Sequence, residues 1–261
     1  MADIRNPAVA GQFYPAHADE LAATVTTLLD EAGEPGDVAP KALIVPHAGY
    51  MYSGPVAASA YARLRPYRYL YTRVILLGPC HRIPVTGMAL STADAFRTPL
   101  GDVPVDSGAL SGIDLPGVSS FDATHKYEHS LEVHLPFLQT VLDDFSIVPI
   151  AVGDVKAEVV ADVLEALWGG DETLIVVSSD LSHYLDYDSA TALDAETCRS
   201  IEKLDTQLDQ DAACGATPVL GLLIAARHKG LQVTTLDLRN SGDTAGDKDF
   251  VVGYGAWMMS E

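Results

Sequence analysis

Three short apolar runs, each followed by a histidine, constrain the fold of this 261-residue chain more than any other feature. The runs occupy residues 42–45, 74–77 and 174–177, and the histidines that follow them are His47, His81 and His183. Each run has the length of a buried strand. In an open α/β sheet, ligands bind beyond the carboxyl ends of the strands, so these histidines can meet in one crevice. Because imidazole is the commonest metal ligand, the sequence predicts a metal site there.

Helical and strand patterns alternate along the chain. Helices are predicted at residues 19–32, 55–64, 158–167, 189–204 and 219–228, and strands at residues 41–45, 73–77, 146–152, 174–177, 233–238 and 250–258. Residues 46–54 read as a loop, Thr217 as a helix cap, and Pro136 as the point where another helix bends or restarts. The alternation predicts a single α/β domain over residues 1–261, with a mostly parallel or mixed central sheet flanked by helices.

The charge and composition exclude several classes of partner. The net charge is -20, from 36 acidic and 16 basic residues, which argues against nucleic acid because its phosphates require clustered Lys and Arg. No apolar run approaches the roughly 18–20 residues of a membrane span, and the first residues lack the pattern of a signal peptide. Three cysteines in a chain of this length fit free thiols in a reducing compartment, so a cytoplasmic location is expected.

Other reactive side chains accompany the histidines. Asp180 precedes His183 by three residues. This spacing predicts either a carboxylate–imidazole pair in which Asp180 orients His183, or an Asp180 that caps a helix beside a solvated His183. Cys80 stands beside His81 and is either a soft ligand or a small buried side chain. Cys214 lies before a predicted helix start, where the helix dipole favours a thiolate, and it is either functional or structural. Tyr52 is either a packing aromatic or a pocket residue.

A second histidine cluster lies at residues 125–134. Its ionisable groups point to different faces of a predicted helix start, so only some of them can reach one site. Among these groups His129 is predicted to face the pocket, whereas Glu132 and His134 are expected to buttress it or to face water.

Taken together, five motifs at residues 46–50, 78–81, 128–132, 178–183 and 214–218 resemble the Memo family, in order along nearly the whole chain. The segments at residues 8–14 and 252–255 fit the same family. This resemblance implies a fold similar to the class III extradiol ring-cleaving dioxygenases, whose iron is held by two histidines and a carboxylate. In Memo proteins a cysteine replaces the carboxylate. By motif, the resemblance implies metal ligands at His47, His81 and Cys214, pocket positions for Asp180 and for an acid/base His183, and a weaker pocket assignment for His129. Tyr52 and Cys80 are weaker pocket candidates because of their places near His47 and His81 in the sequence.

Two positions depart from the usual pattern of the family. Memo relatives commonly have Ser or Asn where this chain has Cys80, and some carry a second histidine where it has Arg82. A further thiol would favour copper(I) or zinc over iron(II). Association within the family also implies AMMECR-type and radical-SAM proteins as partners.

Three functions follow from these residues. The leading prediction is a non-haem redox protein with iron(II) or copper, zinc being the alternative metal, that acts with O2 on a small substrate in the manner of a dioxygenase. The second is a non-catalytic module that binds a peptide or a protein in the same crevice. The third is metal-independent hydrolysis or transfer, with Cys214 as nucleophile and His183 as base.

Overall fold

A computed structural model describes residues 2–33, 35–113, 115–207 and 212–261. Its strands are β1 (Ile4–Arg5), β2 (Ala42–Val45), β3 (Arg73–Pro79), β4 (Met88–Leu90), β5 (Ala95–Thr98), β6 (Gly101–Pro104), β7 (Val118–Ser120), β8 (Ser146–Val152), β9 (Thr173–Ser178), β10 (His183–Leu185), β11 (Gln232–Asn240) and β12 (Val251–Ser260). Its α-helices are α1 (Ala18–Glu31), α2 (Tyr50–Tyr61), α3 (Ser107–Ser111), α4 (Asp122–Lys126), α5 (Leu135–Val141), α6 (Ala157–Ala166), α7 (Tyr187–Glu202) and α8 (Ala216–Lys229).

The main sheet is mixed, with a parallel centre. Its strand order is β10-β12-β2-β9-β3-β8-β4-β7, and β11 pairs along β12. The four central strands, β2, β9, β3 and β8, run parallel, whereas β12 and β4 pair antiparallel to their central neighbours. A small separate sheet has the order β1-β5-β6. The predicted α/β fold with a mixed central sheet is therefore confirmed.

Helices cover both faces of the main sheet because its central strands are apolar on both sides. Alternate side chains of one strand enter different cores: Leu43 joins a core with α1, α2 and α5, whereas Ile44 joins a core with α6 and α8. Successive strand residues point to opposite faces, which explains this division. Both side chains are almost wholly buried, and each such burial contributes roughly 1.5–3 kcal/mol.

The predicted starts of α2 and α8 are wrong. Helix α2 begins at Tyr50, so Pro55 lies inside it and the loop after β2 ends at Gly49. Pro55 removes only one hydrogen bond, and the small buried residues after it continue the helix. Thr217 lies within α8, which begins one residue earlier, after Gly215. Of the two outcomes predicted at Pro136, a bend or a restart, the structure shows a restart: a 3₁₀ turn (Glu132–His134) precedes α5, and Pro136 occupies the first turn of α5.

A buried carboxylate fixes the N-terminal segment to the main body of the fold. Glu132 forms an ion pair with Arg5 and accepts hydrogen bonds from the amides of Ala8 (2.7 Å) and Val9 (3.0 Å) and from the hydroxyl of Tyr14 (2.5 Å). Its predicted buttressing position is borne out by these contacts. Since the anchored segment runs on both sides of Phe13, Glu132 also fixes one wall of the site described below.

Within the described ranges, none of the helices combines the length and the apolar character that a membrane crossing requires.

Candidate metal site

The carboxyl ends of β2, β9 and β3 lie side by side at one edge of the main sheet. His47 follows β2, Asp180 follows β9 and His81 follows β3, each by two residues. Because the three strands are parallel neighbours, the segments that follow them emerge at the same edge. His47 and His81, which were predicted to converge, therefore follow two strands that both pair with β9.

Cys214 reaches the same edge from the start of α8. Its amide donates to the carbonyl of Asp180 (3.2 Å), and the next amide, of Gly215, donates to Oγ of Ser179 (3.0 Å). A Cβ at position 215 would lie 2.5 Å from the carbonyl oxygen of Ser178, which is closer than real Cβ contacts. Glycine at this position lets α8 begin against the end of β9 and so brings the thiol to the histidines.

Three ligand atoms converge at this edge. One ring nitrogen each of His47 and His81 and the sulfur of Cys214 all lie within 4.8 Å of one another. The Cys214 sulfur is 3.3 Å from Nε2 of His47, and the two ring centroids are 5.1 Å apart. His47 is buried, whereas His81 faces the adjoining cavity. Two imidazoles and one thiol form a donor set that transition metals accept.

Ser178 determines which nitrogen of His47 carries its proton. The Ser178 hydroxyl donates its hydrogen to the carbonyl of Ser130 (2.6 Å), so its oxygen must accept a hydrogen bond from Nδ1 of His47 (2.6 Å). Burial and the neighbouring histidines lower the pKa of His47, which keeps the ring neutral. The lone pair of His47 is therefore on Nε2, the atom that faces Cys214.

Glu128 determines which nitrogen of His81 carries its proton. Its carboxylate accepts hydrogen bonds from Nδ1 of His81 (2.9 Å) and from the amides of His81 (2.5 Å) and Ser130 (3.0 Å). Burial alone would raise the pKa of Glu128, but these hydrogen bonds outweigh it and lower the pKa to about 2. An ionised Glu128 holds the proton of His81 on Nδ1 and leaves Nε2 as the ligand atom.

A second group of possible ligand atoms consists of His81, Glu128 and His129. Nδ1 of His129 lies 3.3 Å from the carboxylate of Glu128. Oε1 of this carboxylate already accepts hydrogen bonds from Nδ1 of His81 and from the amides of His129 and Ser130, and Oε2 accepts one from the amide of His81. These contacts identify Glu128 as the group that orients His81, so the first group is the better metal site.

We expect Glu128→Gln to weaken metal binding about 10- to 100-fold, because a neutral amide no longer fixes the His81 tautomer. The affinity is measured by competition with a chelator of known strength. A matched control is Glu165→Gln, since Glu165 forms a 2.7 Å contact with the exposed His228 on the outer surface. An unchanged metal affinity in Glu128→Gln would show that Glu128 does not orient a ligand.

The predicted pairing of Asp180 with His183 is wrong. Oδ1 of Asp180 accepts a hydrogen bond from the amide of His47 (2.7 Å), and Oδ2 lies 3.9 Å from Nε2 of the same residue. Burial raises the pKa of Asp180 to about 7, although the His47 amide opposes the shift. The loop after β9 directs the carboxylate toward β2, and therefore Asp180 positions His47.

The helix start does not favour a thiolate at Cys214, contrary to the sequence-based expectation. Burial and the charge of Asp180 raise the pKa of the Cys214 thiol, and these effects outweigh the amide of Asp180 that points at the sulfur from 3.3 Å. A thiolate in such a site is stabilised by a bound metal ion, which favours the deprotonated ligand. The nearest base to the sulfur is His47, not His183.

A cavity of about 670 Å³ adjoins the three ligand atoms, a volume suited to a small molecule. The predicted pocket residues that line it are His129, His183, Tyr52 and Asp180. Cys80 does not line it: with Cys214, it borders a separate cavity of about 270 Å³. Burial and Glu128 raise the pKa of Cys80 to about 12, as expected of an inert thiol.

Several residues of the site were not predicted from the sequence. Glu128 and Ser178 stand inside quoted motifs, but the pattern gives no indication that they orient histidines. Phe13 packs its ring 4.8 Å from that of His129, and Tyr254 supplies a further aromatic wall. Phe13 and Tyr254 come from opposite ends of the chain, so local spacing could not place them at the site.

A family model described as Memo-like protein matches residues 5–258 of this chain. The chain belongs to the Memo family. The MEMO1 family protein of Aeropyrum pernix is 38% identical over 97% of this Memo chain and 98% of its own length. The MEMO1 family proteins of Methanosarcina mazei and Aquifex aeolicus are each 37% identical, over 97% and 96% of this chain and 98% and 97% of their own lengths.

The fold of this Memo protein is also found among solved structures. An uncharacterized protein from Escherichia coli K12 superposes with a TM-score of 0.54 at 15% sequence identity, covering 83% of this chain and 98% of its own. At such low identity the likeness concerns the fold alone.

Proposed function

We propose that this Memo protein is a metal-dependent redox protein that holds one iron(II) or copper ion with His47, His81 and Cys214. The proposal is carried by one observation: Ser178 and Glu128 occupy the Nδ1 atoms of the two histidines, which leaves Nε2 of each ring as the free nitrogen. Nε2 of His47 lies 3.3 Å from the Cys214 sulfur, and a ring nitrogen of His81 lies within 4.8 Å of both. Neutral imidazoles with the second nitrogen hydrogen-bonded are typical of metal ligands. The residues therefore fit a metal ion.

The donor set also suits a reactive site. Three protein ligands are the number found in catalytic metal sites that keep a position open for water or substrate. A bound iron(II) or copper ion would supply the redox chemistry that amino-acid side chains lack. The cavity beside the ligands gives a small molecule access to that position.

The protein contributes orientation and proton transfer. Asp180 and Ser178 hold His47 from its amide and its ring, and Glu128 holds His81. His183 lines the cavity, where its ring can exchange a proton with a bound molecule. We propose O2 as the co-substrate and a catechol-like compound as the class of substrate.

The proposal predicts O2 consumption that requires both added metal and a catechol. Anaerobic protein is loaded with iron(II) or copper(I), mixed with catechol and followed with an oxygen electrode. His183→Gln is expected to keep the metal and to lower the rate about 10²- to 10⁴-fold, the usual contribution of a positioned acid or base.

Two outcomes would count against this function. O2 uptake that is the same with and without the protein would remove the enzymatic proposal. Metal-free protein that binds a peptide or protein partner, with an affinity that added metal does not change, would instead support the non-catalytic binding module.

A further inference from the structure

Arg82 differs from most arginines of the described chain because no carboxylate lies within ion-pair distance of it. Six arginines have an acidic partner within that distance: Arg5, Arg65, Arg68, Arg73, Arg97 and Arg239. The chain contains 36 acidic residues and 16 basic ones, so partners are abundant. An arginine left without one in such a chain is available to an anion from outside.

Arg82 lies where an anion bound next to the proposed metal site could reach it. Arg82 is exposed and lines the cavity beside the proposed metal ligands, and it follows His81 directly in the chain. His81 and Arg82 both line this cavity. Arg227 also lacks an ion pair in the described ranges, but it lies near the far end of α8, about eleven residues from its start.

Four aromatic residues form part of the cavity wall. Phe13, Tyr52, Tyr184 and Tyr254 line it, and the hydroxyls of Tyr52 and Tyr254 form no hydrogen bond with the described residues. Aromatic walls favour a planar apolar body, and free hydroxyls offer it polar contacts. Asp180 lines the same cavity, and its acidic group disfavours a ligand with several negative charges.

We infer that the ligand of this cavity is a small aromatic carboxylate whose carboxylate group pairs with the guanidinium of Arg82 while its ring lies against the aromatic wall. The planar guanidinium matches a carboxylate with two parallel hydrogen bonds. This inference rests on the proposed function in one respect, since it places the ligand in the cavity beside the metal ligands.

The test compares 4-hydroxybenzoate with 4-hydroxybenzamide, which has the same ring but no charge. Affinities are measured by calorimetry under anaerobic conditions, with and without iron(II), and bound metal is determined in the same samples. Wild-type protein is expected to bind the carboxylate at least about tenfold more tightly than the amide, the difference typical of a charge-assisted hydrogen bond.

Arginine variants identify the source of that preference. Arg82→Gln is expected to reduce the ratio of the two affinities to about one, and Arg82→Lys to restore it in part. Arg227→Gln, the control, keeps the wild-type ratio. Because Arg82 is exposed, the fold is expected to survive its substitution, which circular dichroism checks.

Equal affinities in the wild-type protein, no binding of either probe, or a preference that survives Arg82→Gln would each overturn the inference. Its failure can be told from failure of the metal proposal. Full metal occupancy without a preference refutes only the inference. A preference that depends on Arg82, in protein that takes up no metal even when iron(II) is added, supports the inference and counts against the metal proposal.

Discussion

His47→Ala and Cys214→Ala are each expected to abolish stoichiometric metal binding in protein purified anaerobically and loaded with iron(II) or copper(I). Each substitution removes one of three ligand atoms that lie within 4.8 Å of one another. The loss should exceed the roughly 10- to 100-fold that removal of an outer hydrogen-bond partner costs. Elemental analysis after gel filtration measures the metal that remains.

Two variants outside the site are matched controls for this prediction. His228→Ala removes an exposed histidine on α8, and Cys198→Ala removes a buried cysteine on α7. Both proteins are expected to keep the wild-type metal content. Full metal content in His47→Ala and Cys214→Ala as well would refute the ligand set.

Glu132→Ala is expected to lower the free energy of unfolding by about 3–5 kcal/mol, the cost of removing one partner from a buried ion pair. The side chain of Glu132 is fully buried, and its removal leaves the guanidinium of Arg5 without its carboxylate. The amides of Ala8 and Val9 and the hydroxyl of Tyr14 lose their acceptor as well. Denaturant unfolding monitored by circular dichroism measures the change.

Glu165→Ala provides the comparison for Glu132, because it removes a carboxylate from the partly exposed pair with His228. Exposed pairs contribute about 0–1 kcal/mol, so this variant should unfold almost like the wild type. If Glu132→Ala lost no more stability than Glu165→Ala, the N-terminal segment would not depend on this anchor.

The strands were predictable from the sequence, but their order was not. The apolar runs of β2, β3 and β9 show which residues are buried on both faces, and the histidines that follow indicate one edge of the sheet. In space β9 lies between β2 and β3, although it comes last in the chain. Only long-range pairing fixes that order, and it decides which side chains meet.

Asp180 shows why local spacing is a weak guide to contacts within a site. Three residues separate it from His183, yet its carboxylate binds the amide of His47, which is 133 positions away. Glu128 likewise orients His81 across 47 positions. The sequence predicted the residue types at the strand ends correctly, but the partner of each carboxylate depends on the packing of distant segments. The ligand role of His47, His81 and Cys214 stays a prediction.

X-ray absorption spectroscopy of the metal-loaded protein tests the central claim most directly, because it reports the atoms bound to the ion. The account predicts one sulfur neighbour together with nitrogen neighbours from two imidazoles. The sulfur signal should disappear in Cys214→Ser and persist in Cys198→Ser. A wild-type spectrum with only nitrogen and oxygen neighbours would contradict a site built from His47, His81 and Cys214.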